Sequence, residues 1–326
     1  MRLFALNGSE HLGGAVAKTL GATLDPHEER DFEDGEHKAR PLVCVRGEDV
    51  YVLHSLAGGD GASANDRLMK LLFFLATCRE HGAERVTAVA PYLAYSRKDR
   101  QTKARDPVTT RYVAQLFEAV GTDRIITLDV HNISAFQNAF RCETIHVDTR
   151  RLFVPVVERL AEGQPVTILS PDGGGVKRAQ LLKEHLETDT DLKMGFGFLE
   201  KRRSRGVVSG DLFAGEVDGT VVFVVDDMIS TGGTMLRAAT ACRERGAKAV
   251  HAIATHGLFS EGVEALFDSD AFDNIVVTDS LPAAAQAKTG HPSARLEIVS
   301  AAGLIADALK RLRDGGSICD LLGVES

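Results

Sequence analysis

Apolar residues in this chain gather into short runs that end on carboxylates, glycines or hydroxyls. Residues 221–225 form the clearest run: five apolar positions, four of them valine, suit a strand buried on both faces of a parallel sheet. The run at 86–90, the stretch beginning near Ile125 and the one beginning at Ile168 are expected to be strands of the same kind. The last apolar-periodic segment, 301–312, is predicted as a helix. Gly58-Gly-Asp-Gly61 and residues 201–217, with basic residues, glycines and little periodicity, are expected to be loops.

The pattern repeats. Arg-Glu-His-Gly-Ala-Glu-Arg-Val-Thr-Ala-Val-Ala-Pro-Tyr at 79–92 is echoed by Arg-Glu-Arg-Gly-Ala-Lys-Ala-Val-His-Ala-Ile-Ala-Thr-His at 243–256, an offset of 164 (243 − 79) in a chain of 326. Each copy is a helix end, a Gly-Ala turn and an apolar strand. Asp123-Arg-Ile-Ile-Thr-Leu-Asp129 is likewise paralleled by Asp273-Asn-Ile-Val-Val-Thr-Asp279. The simplest account is a duplicated α/β domain, with one domain over 1–149 and the other over 150–326.

Composition narrows the class. Hydrophobic content of 44% and charged content of 26% are those of a soluble globular protein. No run approaches the ~20 apolar residues of a membrane span, and the N-terminal apolar stretch is too short for a signal peptide, so a cytoplasmic protein with no membrane partner is expected. Five widely spaced cysteines, Cys44, Cys78, Cys142, Cys242 and Cys319, form no metal motif and are expected to be buried free thiols. A net charge of −8 argues against general nucleic-acid binding, so a basic cluster here calls for a specific anion or a solvated face.

Candidate chemistry sits at the ends of the predicted strands. After 221–225 come Asp226-Asp227-Met-Ile and then Ser230-Thr231-Gly232-Gly233-Thr234, which opens a helix. Backbone N–H groups and hydroxyls at a helix N-terminus suit a phosphate monoester. The paired carboxylates cannot serve that phosphate; they suit vicinal sugar hydroxyls or a metal. The implied ligand is a sugar phosphate. After 86–90, five basic residues, Arg97, Lys98, Arg100, Lys103 and Arg105, fall within nine positions, with Tyr92 and Tyr95 nearby and Asp99 among them. Such donors suit a polyphosphate, though a basic loop paired with Asp99 reads equally well. Asp129 and His131 end a third strand, where a metal or phosphate role competes with a structural one. Asp172 with Gly173-Gly-Gly175 ends a fourth and permits close backbone approach. Lys201-Arg-Arg203 could close over bound phosphates, and Asp31-Phe-Glu-Asp-Gly-Glu36 reads as a hairpin turn.

The 226–234 stretch resembles the PRPP-binding fingerprint of the type I phosphoribosyltransferase fold. Together with Phe32-Glu-Asp-Gly-Glu36, Asn65-Asp-Arg-Leu-Met69, the 91–100 segment, Asp129-Val-His131, Ser170-Pro-Asp-Gly-Gly-Gly-Val176, Glu200-Lys-Arg-Arg203 and Thr255-His-Gly-Leu258, it makes the chain resemble the ribose-phosphate pyrophosphokinase family over nearly its whole length. The resemblance implies two duplicated phosphoribosyltransferase-like α/β domains, each with a mostly parallel sheet flanked by helices. It also implies transfer of a diphosphoryl group from Mg-ATP to O1 of ribose 5-phosphate. By the same resemblance, Lys201 and Arg203 are the catalytic pair. ATP falls to Phe32, Asp34, Glu36, Arg97, Lys98, Asp99 and His131, with the first three reaching a neighbouring subunit, so a homo-oligomer built on dimers or as a hexamer is implied. Asp226, Asp227 and Ser230 to Thr234 take ribose 5-phosphate, while His131, Asp172 and Asp129 hold Mg²⁺. Lys98 stands where the family usually has glutamine and Ser230 where it commonly has aspartate, whereas Arg46 matches a regulatory phosphate position. The competing readings are a regulatory homologue of weak activity and a PRPP-consuming phosphoribosyltransferase.

Overall fold

The computed structural model describes residues 1–59, 61–204, 207–282 and 295–323, without the side chains of 201–211. Two compact units emerge: Met1–Asp148 with Ser280–Ala284 and Ala301–Ser326, and Thr149–Asp279 with Ala285–Ser300.

In the first unit, strand β1 (Arg2–Ala5) leads into helix α1 (Glu10–Thr19). A separate two-stranded hairpin follows, β2 (His27–Asp31) and β3 (His37–Pro41). Then come β4 (Asp49–Leu53), α2 (Ala64–Glu80), β5 (Arg85–Val89), α3 (Thr109–Ala119), β6 (Arg124–Leu128), α4 (Ile133–Ala139) and β7 (Glu143–Val147). The sheet order is β1-β4-β5-β6-β7, all parallel. Helices cover it through apolar faces: α3 buries Thr110, Val113, Ala114 and Phe117, a spacing of three and four that keeps one side against the sheet.

The second unit begins with α5 (Arg150–Ala161), β8 (Val166–Ser170), α6 (Val176–Asp189), β9 (Met194–Ser204) and β10 (Val207–Ala214). It continues with β11 (Val221–Ile229), α7 (Gly233–Glu244), β12 (Ala249–Gly257), α8 (Glu264–Asp268), β13 (Asn274–Thr278) and β14 (Leu296–Val299). The order is β10-β9-β8-β11-β12-β13-β14, parallel throughout except for the antiparallel pair β9–β10. Val222, Phe223 and Val224 of β11 are fully buried, as a central parallel strand requires, each side chain contributing about 1.5–3 kcal/mol relative to exposure. The expected loop over 201–217 is instead largely the β9–β10 hairpin, because the backbone of 198–204 pairs across to 207–214. The final helix, α9 (Ala302–Asp314), returns to the first unit and packs on α1.

The duplication extends to single hydrogen bonds. At the end of α2, Arg79 Nε donates to the Gly121 carbonyl and its guanidinium meets Asp123 at 2.5 Å, while Asp123 accepts the Val86 N–H at 2.7 Å. At the end of α7, Arg243 Nε donates to the Ala271 carbonyl and pairs with Asp273 at 2.6 Å, and Asp273 accepts the Val250 N–H at 2.8 Å. The intervening turns use Gly82 at φ +88° and Gly246 at φ +87°. One arginine and one aspartate thus lock each helix end to the strand that follows.

All five cysteines are free, but the expectation that all are buried holds only in part: Cys44 and Cys319 are exposed and Cys142 is half-buried. Cys78 and Cys242 are core residues whose thiols burial pushes up to about 12. Among the described residues no helix is long and apolar enough to cross a membrane.

Gly246→Ala should destabilise the protein by at least ~1–2 kcal/mol, because the left-handed backbone alone carries that penalty. The added methyl would also lie 2.2 Å from Asp218 Oδ1. Chemical unfolding of the variant checks this, and a midpoint equal to wild type would contradict the role given to the Gly-Ala turn.

Candidate functional site

Strand order decides where a ligand can enter the second unit. From β8 the chain crosses to β9 on one side, whereas β11 leads to β12 and β13 on the other, so the carboxyl ends of β8 and β11 flank a topological switch point. Open parallel sheets bind ligands at that place. Two of the sequence motifs arrive there: the Asp172 turn after β8 and the Asp226 to Thr234 segment on β11.

Asp226 and Asp227 lie within β11, not beyond it. The strand runs to Ile229 because its backbone stays paired with β12, at Asp226↔Ala254 and Met228↔His256, after its pairing with β8 ends at Val224. Asp227 is 1% exposed. Asp226 Oδ1 accepts the Asp227 N–H at 2.8 Å and a hydrogen bond from Arg178 Nη1 at 3.1 Å, and the same Nη1 stands 3.4 Å from Asp227 Oδ1. Burial first, and the neighbouring Asp227 second, push the Asp226 carboxyl well above the ordinary carboxylate range, with Arg178 opposing. Arg178 went unnoticed in the sequence, 48 residues from its partner.

The Ser230 to Thr234 turn follows. Gly232 caps α7 at φ +77°, where a Cβ would press against Leu266 at 3.0 Å. No side chain caps this helix, and its first N–H groups keep their donor capacity for a ligand. Ser260 braces the turn: its N–H donates to the Ser230 carbonyl at 3.0 Å, and the two hydroxyls meet at 3.0 Å. Thr231 is exposed, Thr234 half-buried, and Gly233 opens the helix.

In the first unit the strand-to-helix turn after β4, which precedes α2 and the first copy of the repeat, is closed. Ser63 accepts the Asp66 N–H, and Asp66 accepts the Ser63 N–H at 2.7 Å, a reciprocal cap on α2. A phosphate has no comparable opening there.

The first unit instead offers the ends of β5 and β6, which are neighbouring strands. Tyr92 is a core residue, and Tyr95, at φ +64°, reaches Asn65 with its hydroxyl. Arg97 and Arg100 are exposed, while Lys98 and Asp99 are half-buried. Lys98 stands 3.6 Å from Asp106, whose carboxylate also accepts the Thr102 hydroxyl at 2.7 Å and the N–H groups of Thr102 and Lys103. Those hydrogen bonds, led by Thr102, hold Asp106 below the usual carboxylate range. Asn132 joins the two loops: its Oδ1 caps α4 at Ala135 N–H, and its Nδ2 donates to Asp99 at 2.6 Å. Asp129 is held at φ +32°, a strained backbone at the strand end that carries exposed His131.

Phe32, Asp34 and Glu36 lie in the β2–β3 turn, as the hairpin expectation had it; Phe32 N–H donates to Glu36 O at 2.8 Å and Gly35 takes φ +89°. Phe32 is 41% exposed. Lys201 and Arg203 fall on the β9 backbone, paired with Asp211 and Val208, and their side chains lie outside the described residues.

Among the described residues no three His, Cys, Asp or Glu side chains form a ready metal cage. Magnesium commonly uses one or two carboxylates with water and substrate phosphates. Asp172 fits that use: Oδ1 accepts the N–H groups of Gly174 and Gly175 at 2.8 and 3.1 Å, which orients a carboxylate beside a backbone that lacks side chains.

A parallel sheet whose switch point carries an Asp-Asp pair, one member buried and one half-buried, and an open helix N-terminus defines the type I phosphoribosyltransferase class. Residues 1–121 match the N-terminal domain of ribose phosphate pyrophosphokinase, and residues 210–323 match the phosphoribosyl synthetase-associated domain. The chain is 35% identical over 320 residues to a ribose-phosphate pyrophosphokinase of Pasteurella multocida (strain Pm70), covering 98% of each chain. It is also 35% identical over 323 residues to one of Agrobacterium fabrum, covering 98% of this chain and 99% of that one. A phosphoribosylpyrophosphate synthetase structure from Mycobacterium smegmatis is similar with a TM-score of 0.85 at 30% identity, over 97% of this chain and 99% of that one. The chain belongs to the ribose-phosphate pyrophosphokinase family.

Because the folded pKa of Asp226 is raised, its contribution to stability is full below the unfolded value near ~4 and is lost as pH climbs through the raised one. Without ligand, Asp226→Asn should therefore gain stability over wild type as pH rises from about 5 to about 8. Thermal unfolding across that range checks it; a constant gap would contradict the assignment.

Proposed function

We propose that this chain is an active ribose-phosphate diphosphokinase, with acceptor chemistry in its second unit and donor chemistry in its first. The observation that carries the reading is the uncapped α7 N-terminus directly after Asp226 and Asp227, in a chain similar end to end to ribose-phosphate pyrophosphokinases. Ser230 to Thr234 take the 5-phosphate, and Asp226 and Asp227 accept hydrogen bonds from the ribose hydroxyls. Arg97, Lys98 and the Asn132-anchored Asp99 loop take ATP phosphates, and Lys201 with Arg203 offset charge on the transferring group.

In the reaction, the 1-hydroxyl of ribose 5-phosphate attacks the β-phosphorus of ATP. The bond from that phosphorus to the α–β bridging oxygen breaks, the hydroxyl proton is released, and AMP leaves as PRPP forms. Positioning two anions against a fixed set of cations accounts for most of such catalysis. Asp129 and His131 in the first unit and Asp172 in the second are the residues that would hold Mg²⁺, which would supply neutralisation of phosphate charge. Phe32, Asp34 and Glu36, on the exposed turn of the β2–β3 hairpin, serve ATP in a neighbouring subunit of a homo-oligomer working in the cytoplasm. A PRPP-consuming transferase would need the second unit's site but not the loop at 97–106.

Protein mixed with Mg-ATP and ribose 5-phosphate and followed by phosphorus NMR should produce AMP and PRPP in equal amounts. ADP as product would indicate a simple kinase, and the absence of turnover would favour a regulatory homologue.

A further inference from the structure

Arg178 is the third residue of α6, and nothing in its local sequence separates it from Lys177 beside it. The fold does. Its Nη1 bridges Asp226 Oδ1 and Asp227 Oδ1, and it lies 3.7 Å from where a Cβ on Gly175 would stand. Gly175 sits close against the end of β8, where a Cβ would meet Ser170 Oγ at 2.8 Å, and its N–H is held by Asp172 Oδ1 at 3.1 Å. The helix start that carries Arg178 is therefore fixed at the end of β8, the strand that pairs with β11.

Two adjacent carboxylates, one fully buried and one half-buried, favour a compensating cation, and breaking such a pairing leaves a poorly compensated charge at the buried one. A sugar phosphate cannot supply that cation, because its hydroxyls are neutral and its phosphate is an anion. The protein must supply it. Arg178 also fixes geometry: with Asp226 Oδ1 occupied by both the guanidinium and the Asp227 N–H, the carboxylate plane is set before any ligand arrives.

We propose that Arg178 is a positioning residue of the sugar site, orienting Asp226 and Asp227 so that their remaining lone pairs accept the vicinal hydroxyls of ribose 5-phosphate. The proposal rests on the assignment of Asp226 and Asp227 to the ribose. It gives Arg178 no contact with the reacting atoms, and so separates it from a ligand of the transferred diphosphate, which proximity to the Gly173–Gly175 turn would otherwise suggest.

The test is steady-state kinetics of AMP formation for Arg178→Gln and Arg178→Lys, each substrate varied against saturation of the other, with thermal unfolding of the same preparations. Arg178→Gln should raise KM for ribose 5-phosphate roughly tenfold or more while leaving KM for ATP within about twofold, as expected when the carboxylates that receive one substrate lose the charge-assisted contact that orients them. Arg178→Lys should recover most of that loss. An unchanged KM for ribose 5-phosphate, an equal rise in KM for ATP, or two variants that lose activity only with a lowered unfolding midpoint would each overturn the proposal. Should Arg178→Gln fail to fold, the double variant R178Q/D226N, which removes one charge of each sign, decides. Its KM for ribose 5-phosphate must match that of Asp226→Asn within about twofold, and a further rise overturns the proposal. Wild-type protein that forms no AMP would sink the functional reading itself, a result distinct from any of these.

Discussion

The structure turns on the helix end that opens directly after the Asp226–Asp227 pair. The first N–H groups of α7 have no side-chain cap from the N-cap residue, because that residue is Gly232, held in the left-handed region where a Cβ would press against Leu266. A glycine cap forgoes only a few tenths of a kcal/mol relative to Ser, Thr, Asp or Asn while leaving the first N–H groups without a side-chain acceptor, an arrangement at a topological switch point that suits an anion. Its repeat-related counterpart makes the contrast. Ser63 and Asp66 satisfy the start of α2 reciprocally, and the first unit, whose strands follow one another in order from β1 to β7, has no switch point among its described strands. Duplication thus produced two sheets with matching Arg–Asp locks at their helix ends, of which the second leaves its corresponding helix start without a side-chain cap.

Much of this was legible in the sequence, for stated reasons. A five-residue branched run cannot be an ordinary helix, so 221–225 announced β11; the strand's extension to Ile229 was hidden because Asp226 and Asp227 interrupt the apolar pattern while the backbone goes on pairing with β12. The Gly-Ala echo announced the duplication, yet its deepest expression, the contacts of Arg79 with Asp123 and Arg243 with Asp273, depends on pairs 44 and 30 residues apart (123 − 79 and 273 − 243) that no local pattern displays. The segment 201–217 lacked periodicity, and cross-strand pairing overrode that signal to make a hairpin. Arg178, Asn132 and Asp106 escaped notice because their work is tertiary. Each holds another functional group in place, and only the fold shows which.

The donor side has a different character. It relies on loops, and loops need anchors. Asn132 supplies one by capping α4 and gripping Asp99 at once; Asp106 supplies another by collecting Thr102, Lys103 and Lys98. The left-handed backbones of Tyr95 and Asp129 flank these anchors, a local cost of order 1–3 kcal/mol each that the surrounding fold sustains. Lys98 is consequently no loose charge but part of a small ion-paired turn.

The central claim is that the sugar phosphate is received by the open end of α7 and not by its closed counterpart on α2. Calorimetric titration of ribose 5-phosphate into wild type, Thr234→Glu and Ser63→Ala tests it most directly. A carboxylate introduced at the start of α7 should occupy the anion site and weaken binding at least about tenfold, whereas loss of the α2 cap should lower stability by ~1 kcal/mol and leave affinity unchanged. Undiminished binding by Thr234→Glu, or lost affinity in Ser63→Ala, would contradict the account.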